Sequence, residues 1–373
     1  MDLKFNFITW YFNEFSFDPL FTEMLAIKEG SPWHREENIG IHTNMVVGQY
    51  LTLAGQAWLR SEHLGAIACA FHDVGKPPAM ITKYKEDRGE YRAFHGHEQV
   101  SARLWEDYAA RNWHHLVEIF ALSPIDIYKI GWMIEHHVPW ATTDTVKLDR
   151  LACTASELDI VYTFVDVLIA DTTGRIAEDM ITQNAKADTW GAAFIKRSFN
   201  SQSIIDKIQM ENHSGPVLHI PIGPSGCGKS TVRHSDFDLL GAHHYSWDKL
   251  IVEWYNSDYD TAWKMAFVDD TEFKQKAFAE FVRVIKTNVD IFVDNTNLSP
   301  KRRAGFITEA RRRGYKIVGH LFPIALQEVL DRQHTREGRS TPDVVVTTQY
   351  NALSLPQYGE FDEINVHCGN LID

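Results

Sequence analysis

Lys229 and Ser230 close the nonapeptide Gly223-Pro-Ser-Gly-Cys-Gly-Lys-Ser-Thr231, which keeps the spacing of a phosphate-binding loop: Gly, four residues, then Gly-Lys-Ser. Glycines at 223, 226 and 228 let backbone N–H groups from Gly223, Ser225, Gly226, Gly228 and on to Thr231 turn toward one anion, and a following helix adds its positive end. Lys229 is then expected on the β- and γ-phosphates and Ser230 on Mg²⁺. A second set of reactive side chains lies far upstream: His42, the adjacent pair His72-Asp73, His95, His97, the pair His136-His137, and Asp171. Imidazole nitrogens and carboxylates spread over several helices suit Mn, Fe, Co, Ni or Zn better than Mg. Such an ion polarises a phosphoryl oxygen and acidifies water. The chain has 18 histidines, so any one of them taken singly reads as an ordinary structural residue, and the set carries the inference.

Three segments after the loop narrow its chemistry. Asp248, in Ser246-Trp-Asp-Lys-Leu250, is placed to accept the proton of an attacking hydroxyl, and it also reads as the N-cap of a helix over 249–255. Asp294 ends the apolar run Ile291-Phe-Val293, at the carboxyl edge of a sheet where α/β proteins bind ligands, and Asn295-Thr296-Asn297 shape that edge. Arg332, Arg336 and Arg339 recur at helical spacing before a Gly/Pro break, as in a segment that closes over a nucleotide. A solvated helix face is the plain reading of Lys301-Arg302-Arg303 and of Arg311-Arg312-Arg313, and for the second triple it is the preferred one.

These groups need elements to hold them. Apolar positions three and four apart, as in Leu64-Ile67-Ala68-Phe71, Leu104-Tyr108, Ile127-Ile130-Met133-Ile134-His137 and Leu158-Val161-Val165-Leu168-Ile169, predict helices across the first two hundred residues. Helical phase puts His137, rather than His136, on the face of Ile130, Met133 and Ile134. The stretch Glu211-Asn-His-Ser-Gly215 reads as a linker. Beyond it, short strands at Val217–Ile222, Asp290–Val293 and Lys316–Phe322 alternate with helices. The fold expected is multidomain: an all-α bundle over residues 1–210, then an α/β domain with a parallel sheet and a helical lid over 211–373.

Composition limits the function classes. With 44% hydrophobic and 23% charged residues the 373-residue chain is that of a globular protein. No apolar run reaches a membrane span, no signal peptide opens it, and Cys69, Cys153, Cys227 and Cys368 lack disulfide or metal spacing, so a cytoplasmic setting without a membrane is expected. The net charge of −13 argues against a nucleic-acid-coating surface but not against gripping one end of a strand.

The segments Ile41-His-Thr-Asn-Met-Val46, Phe71-His-Asp-Val-Gly-Lys-Pro77, Phe94-His-Gly-His-Glu98 and Leu168-Ile-Ala-Asp-Thr-Thr-Gly-Arg175 together resemble the HD-superfamily metal phosphohydrolases over about residues 38–176. That resemblance implies His42, His72, Asp73 and Asp171 as core ligands, with His97 and one of His136 or His137 completing a second metal position. It implies Lys76 as a phosphate-contacting cation and Arg175 and Asp149 as supporting groups, with His34 as a further pocket residue. His95, His114 and His115 are left as ordinary residues. The later segments resemble polynucleotide 5′-kinases over about residues 215–350. In that resemblance Asp248 is the general base, Asp294 and Asn297 line the acceptor site, and Arg332, Arg336 and Arg339 contact the nucleotide. One position departs: the family carries Arg three residues after the base, and here it is Ile251.

The order of the two halves resembles the HD-Pnk end-healing enzymes. It implies RNA end repair: hydrolysis of a 2′,3′-cyclic or 2′-phosphate at the first site with a metal such as Mn²⁺, Co²⁺, Ni²⁺ or Zn²⁺, and transfer from Mg²⁺-bound ATP or another NTP to a 5′-hydroxyl at the second. RNA or DNA ends are the implied substrates, with a functional link to an RNA ligase. Ile251 and the acidic composition favour the alternative of a nucleotidase joined to a nucleoside or small-molecule kinase. A nucleotide-gated regulator without turnover is a third reading.

Overall fold

The computed structural model describes residues 2–29, 34–55, 61–86, 89–138, 144–209, 215–237, 241–270, 272–336, 340–357 and 359–368, with the side chains of 200–209 left aside. They divide into two units, Met1–Met210 and Glu211–Gly369. The linker expected at 211–215 falls outside the described residues except for Gly215, and so does Arg339.

The first unit is helical, with one hairpin. Its elements are α1 (Leu3–Asn13), α2 (Pro19–Leu25), α3 (Ile39–Leu53), α4 (Glu62–Phe71), α5 (Lys76–Ala79), β1 (Ile81–Lys85), β2 (Gly89–Ala93), α6 (His97–Arg111), α7 (Trp113–Phe120), α8 (Pro124–Glu135), α9 (Thr145–Glu157), α10 (Val161–Thr173) and α11 (Met180–Gln209). The antiparallel β1–β2 hairpin falls where no strand was expected. Helix α4 is apolar on every side, and a helix of that composition must be surrounded. It is: α1, α3, α6, α8 and α10 pack around it, and every residue from Leu64 to Phe71 is buried. The Phe71 ring lies 4.5 Å from Phe15, 5.0 Å from Tyr108 and 5.1 Å from Trp105, centroid to centroid. This aromatic packing fixes the end of α4, and His72-Asp73 follow directly. Gly75 is dictated by space, since a Cβ there would stand 2.3 Å from the His97 carbonyl oxygen and 2.5 Å from Ser101 N. The turn carrying Asp73 is thereby pressed against the first turn of α6, which carries His97.

The second unit contains β3 (Val217–Ile222), α12 (Lys229–Val232), β4 (His243–Tyr245), α13 (Trp247–Tyr255), α14 (Tyr259–Lys264), α15 (Phe273–Ile285), β5 (Ile291–Val293), α16 (Pro300–Arg311), β6 (Lys316–Leu321), α17 (Leu326–Thr335), α18 (Asp343–Asn351) and β7 (Glu363–Val366). The sheet order is β4-β5-β3-β6-β7, with every pairing parallel. Strand β3 is central, and its C-terminal residues Ile220, Pro221 and Ile222 are buried, as an apolar run between two neighbouring strands requires. Because the strands run the same way, the segments after β3, β4 and β5 emerge at one edge. The loop 223–231, Asp248 and Asp294 therefore share that edge. Arg303, expected on a solvated face, is fully buried; its guanidinium pairs with Glu360 at 2.7 Å and donates to the Asn297 carbonyl at 3.0 Å. The four cysteines are free and buried. Among the described residues no helix is long and apolar enough to cross a membrane.

Candidate functional site

The histidines of the first unit converge with their tautomers already set. His72 Nδ1 lies 2.7 Å from the Cys69 carbonyl oxygen, His97 Nδ1 2.8 Å from that of Phe94, and His137 Nδ1 2.7 Å from that of Ile134. A carbonyl only accepts, so each Nδ1 carries a proton and each Nε2 is turned toward the centre. Yet His72 Nε2 faces His42 Nε2 at 3.3 Å, and His97 Nε2 faces His137 Nε2 at 3.4 Å. Burial lowers the His97 imidazole, but the Asp73 carboxylate beside its Nε2 outweighs burial and raises it, so either a proton or a metal cation fits between these nitrogens.

Asp73 joins the two pairs. Its Oδ2 is 3.2 Å from His72 Nε2 and 3.6 Å from His42 Nε2, and its Oδ1 is 3.2 Å from His97 Nε2 and 3.9 Å from His137 Nε2. Asp171 Oδ1 lies 3.2 Å from His42 Nε2 and 3.8 Å from His72 Nε2. Ligands about 2.1 Å from one ion stand roughly 3.0–3.5 Å apart, so both groups have coordination spacing. The residues thus fit two metal positions: His42, His72, Asp73 and Asp171 at one, and Asp73, His97 and His137 at the other. Burial, with His72 and His97 close by, pushes the His137 imidazole down to about 3, so it is neutral, the form that coordinates.

Of the adjacent pair, His137 joins the centre and His136 does not. His136 follows α8, stacks on Trp132 with centroids 4.7 Å apart and hydrogen-bonds the Trp132 carbonyl at 2.8 Å. Burial pushes it down to about 4. It is a core histidine. Asp149 is also corrected: it sits on an exposed face of α9 paired with Arg197, because the polar side of that helix faces solvent.

A cavity of about 630 Å³ opens beside the centre, bordered by Asp73, His97, His137 and Asp171. Lys76 and Arg175 also line it. Lys76 Nζ is 2.9 Å from Asp73 Oδ2 and 2.8 Å from Glu29 Oε2. Arg175 donates to Asp171 Oδ1 at 2.8 Å, and so orients a ligand while edging the cavity. His34 reaches the same wall, 3.7 Å from Glu29 and 3.6 Å from Glu36.

Sequence reasoning missed several residues. Glu36 is buried, with Oε1 3.5 Å from His42 Nδ1 and accepting from Ile176 N at 2.7 Å, so it stands behind the His42 imidazole. His95, read as ordinary, lines the cavity with its Nε2 2.8 Å from Lys83 Nζ. Neither has a periodic signal, since both lie in irregular chain before a helix.

In the second unit the phosphate loop is formed and closed on itself. Gly226 and Gly228 have φ of 92° and 107°, values that favour glycine. Lys229 Nζ donates to the carbonyls of Gly223 at 3.0 Å and Pro224 at 2.6 Å, while Ser230 and Thr231 are exposed. The helix behind the loop is short, four residues of α12 running into a π-helical turn over Arg233–Phe237. Ser225 is held on three sides: its N–H by Gln349 at 2.8 Å, its carbonyl by Gln333 at 3.1 Å and its hydroxyl beside Thr341 at 3.0 Å.

Asp248 stands in the first turn of α13, whose N-cap is Ser246, so it does not cap the helix; Tyr259 Oη donates to its Oδ1 at 2.8 Å. Asp294 accepts from His244 Nε2 at 2.9 Å, and His244 Nδ1 accepts from Arg233 at 2.8 Å. This relay from the edge strand β4 carried no sequence signal. Burial raises the Asp294 carboxyl, but the His244 hydrogen bond and the charges of Lys229, His244 and Arg233 outweigh it and hold it low. Asn297, expected on substrate, is 3% exposed and spends its Nδ2 on the carbonyls of Pro221 and Val293, at 2.9 and 3.0 Å. It braces the loop instead, because its left-handed backbone, φ 49°, turns the amide inward. Arg332 reaches the Gly226 carbonyl at 3.4 Å and pairs with Glu328. Arg336 ends α17 in extended conformation, so it leaves the helical face it was expected to share with Arg332. Ile251 is fully buried against Ala262, Ala266, Phe273 and Ala277.

Comparison with known proteins bears on the second unit. No curated protein matches the chain. A solved gluconokinase from Sinorhizobium meliloti 1021 is similar, at 22% identity and a TM-score of 0.32, over 41% of this chain and 83% of that one. A family model described as an AAA domain matches residues 218–354, the span holding the loop, Asp248, Asp294 and α17. With the parallel sheet, that match makes the second unit a P-loop α/β domain.

Proposed function

We propose that the chain joins two phosphoryl chemistries, a metal-dependent phosphohydrolase in the first unit and an NTP-dependent kinase for a hydroxyl in the second, and that together they heal RNA ends. The observation that carries the reading is Asp73, whose two oxygens each meet a separate pair of imidazole Nε2 atoms beside the cations Lys76 and Arg175. A pair of divalent transition ions held there would supply Lewis acidity toward a phosphoryl oxygen and toward water. Arg175 holds Asp171 in place, Glu36 backs His42, and Lys76 offers positive charge to the phosphate. Hydrolysis of a 2′,3′-cyclic phosphate forms one P–O bond to water and breaks one ring P–O bond, with a proton passing to the freed ribose oxygen.

In the second unit the loop N–H groups, Lys229 and Ser230 would receive the triphosphate and its Mg²⁺. Asp248, oriented by Tyr259, would take the acceptor's proton as the γ-phosphoryl moves to its oxygen and the bond to the β-phosphate breaks. Ends carrying 2′,3′-cyclic phosphate and 5′-hydroxyl are the products of RNA strand scission, and the two chemistries convert both. The test is to incubate the protein with such RNA, ATP and Mg²⁺, with and without Mn²⁺, Co²⁺ or Ni²⁺. The expected outcome is a 5′-phosphate and loss of the cyclic phosphate; a folded, ATP-binding protein that phosphorylates no RNA end removes the kinase half of the reading.

Ile251 favours a second reading. Its side chain is built into the core of α13–α15, so that position offers the acceptor strand no cation. A nucleoside or other small hydroxyl compound would need none there. Comparing 5′-hydroxyl RNA with free nucleosides as acceptors separates the two.

A further inference from the structure

Helix α11 lies against α9 and α10 through the stripe Ala187, Gly191, Phe194 and Ser198, all buried. Gly191 lets it come close, for a Cβ there would stand 3.1 Å from Val165 Cγ1 and 3.3 Å from Ile169 Cδ1. Beside that stripe, three and seven residues on from Gln183, come Lys186 and Trp190. This spacing places all three on one face, and all three line the cavity that also holds Asp73, His97 and Asp171.

Each offers a different contact. Trp190 brings an indole, 36% exposed, to the cavity wall. Gln183 carries both an amide donor and an acceptor, and Lys186 a further cation. The cavity's 630 Å³ far exceeds what a phosphate alone fills and lies within the range of sites for whole small molecules. Cations and carboxylate–imidazole groups at the metal centre address the phosphate. An aromatic plane with an adjacent amide is the chemistry that recognises a nucleobase.

We infer that the Gln183–Lys186–Trp190 face of α11 is a nucleobase subsite, so that the phosphohydrolase selects nucleoside phosphates, with the base stacked on Trp190 and the phosphate at the metal centre. This rests on the phosphohydrolase reading above.

The test compares two substrates of the metal-loaded full chain that share a five-membered cyclic phosphate: adenosine 2′,3′-cyclic phosphate and the base-free glycerol 1,2-cyclic phosphate. The readout is the ratio of their kcat/KM values. Losing a stacking aromatic should lower that ratio about tenfold or more in Trp190→Ala, through KM for the nucleotide. Trp190→Leu keeps apolar bulk without a π-face and should fall likewise, whereas Trp190→Phe should keep most of the preference. A ratio unchanged in the folded Ala and Leu variants overturns the inference, as does an equal loss on both substrates. If the wild type cleaves neither, the phosphohydrolase reading fails on its own. Calorimetric binding of adenosine 2′-monophosphate against inorganic phosphate then decides the subsite: a preference lost in Trp190→Leu upholds it, and one retained overturns it.

Discussion

The two candidate sites are built on opposite plans. In the first unit the reactive groups are side chains from α3, the α4–α5 turn, α6, the end of α8 and α10, buried or half-buried and aimed at common points. In the second they belong to the backbone loop 223–231 and to carboxylates on the open edge of a sheet, and Lys229 is engaged by its own loop. A histidine–aspartate centre is thus enforced by core packing, while a phosphate loop is a backbone shape completed by its ligand. The first design packs imidazoles around a shared carboxylate; the second keeps its groups satisfied within the loop.

The largest expected break in this contrast comes from the shared ligand and from the loop lysine. Asp73→Ala removes a carboxylate common to both metal positions, so metal content by elemental analysis should fall at both and phosphohydrolysis should drop about 10³-fold or more, with kinase activity unaffected. Lys229→Ala should cost phosphoryl transfer by a similar factor, about 10²–10³-fold, and spare the hydrolase. Crossed effects would mean that the two chemistries are not separate.

Glu36→Gln sharpens the comparison at the next level. Carboxylates behind ligating imidazoles are worth about 10–100-fold in metal affinity. Titration with Co²⁺, followed by its absorption bands, should show that loss at the position holding His42. An unchanged affinity would make Glu36 a mere tether for the Ile176 backbone.

A smaller effect concerns pH and the core of the second unit. His219 on β3, His320 on β6 and His367 just after β7 form a row, with ring nitrogens 3.0 and 2.8 Å apart. Burial, then His219 and His367, pushes the His320 imidazole down to about 2, and burial pushes His219 to about 4. The unfolded chain takes up these protons near 6.5 and the folded chain does not. This contribution to stability is therefore full above about pH 7 and declines as pH falls toward 4, by at most about 1.4 kcal/mol per pH unit for each imidazole. His219 is less enclosed and contributes less. Urea midpoints measured from pH 7 to 5 should fall in the wild type and fall less steeply in His320→Gln; parallel slopes would refute the account.

Much of this was legible from residues alone, for identifiable reasons. The central strands β3, β5 and β6 announced themselves as short apolar runs, and Val217–Ile222 has the boundaries the sequence predicts, whereas β1, β2, β4 and β7 did not. Extending the helical phase of Ile130, Met133 and Ile134 picked out His137, although both histidines lie past the end of α8. What stayed hidden depends on distant segments meeting. Glu36 acquires its task only when the turn before α3 meets Ile176 after α10. His244 sits on a three-residue edge strand with no periodicity to read, and matters only beside Asp294. Asn297 was misread because a motif reports that an amide is needed, not whether it points toward a ligand or toward Pro221 and Val293. The Trp190 face of α11 looks like any amphipathic helix until the cavity beside it is seen.

The Lys229 ammonium held between two carbonyls of its own loop has a kinetic consequence. An incoming triphosphate draws on those same N–H groups, so its full engagement requires the loop's hydrogen bonds to Lys229 to be exchanged, and capture is a sequence of encounter and then rearrangement. In a rapid-mixing experiment the observed rate should level off as nucleotide concentration rises, and the plateau would be the frequency with which the loop releases its lysine.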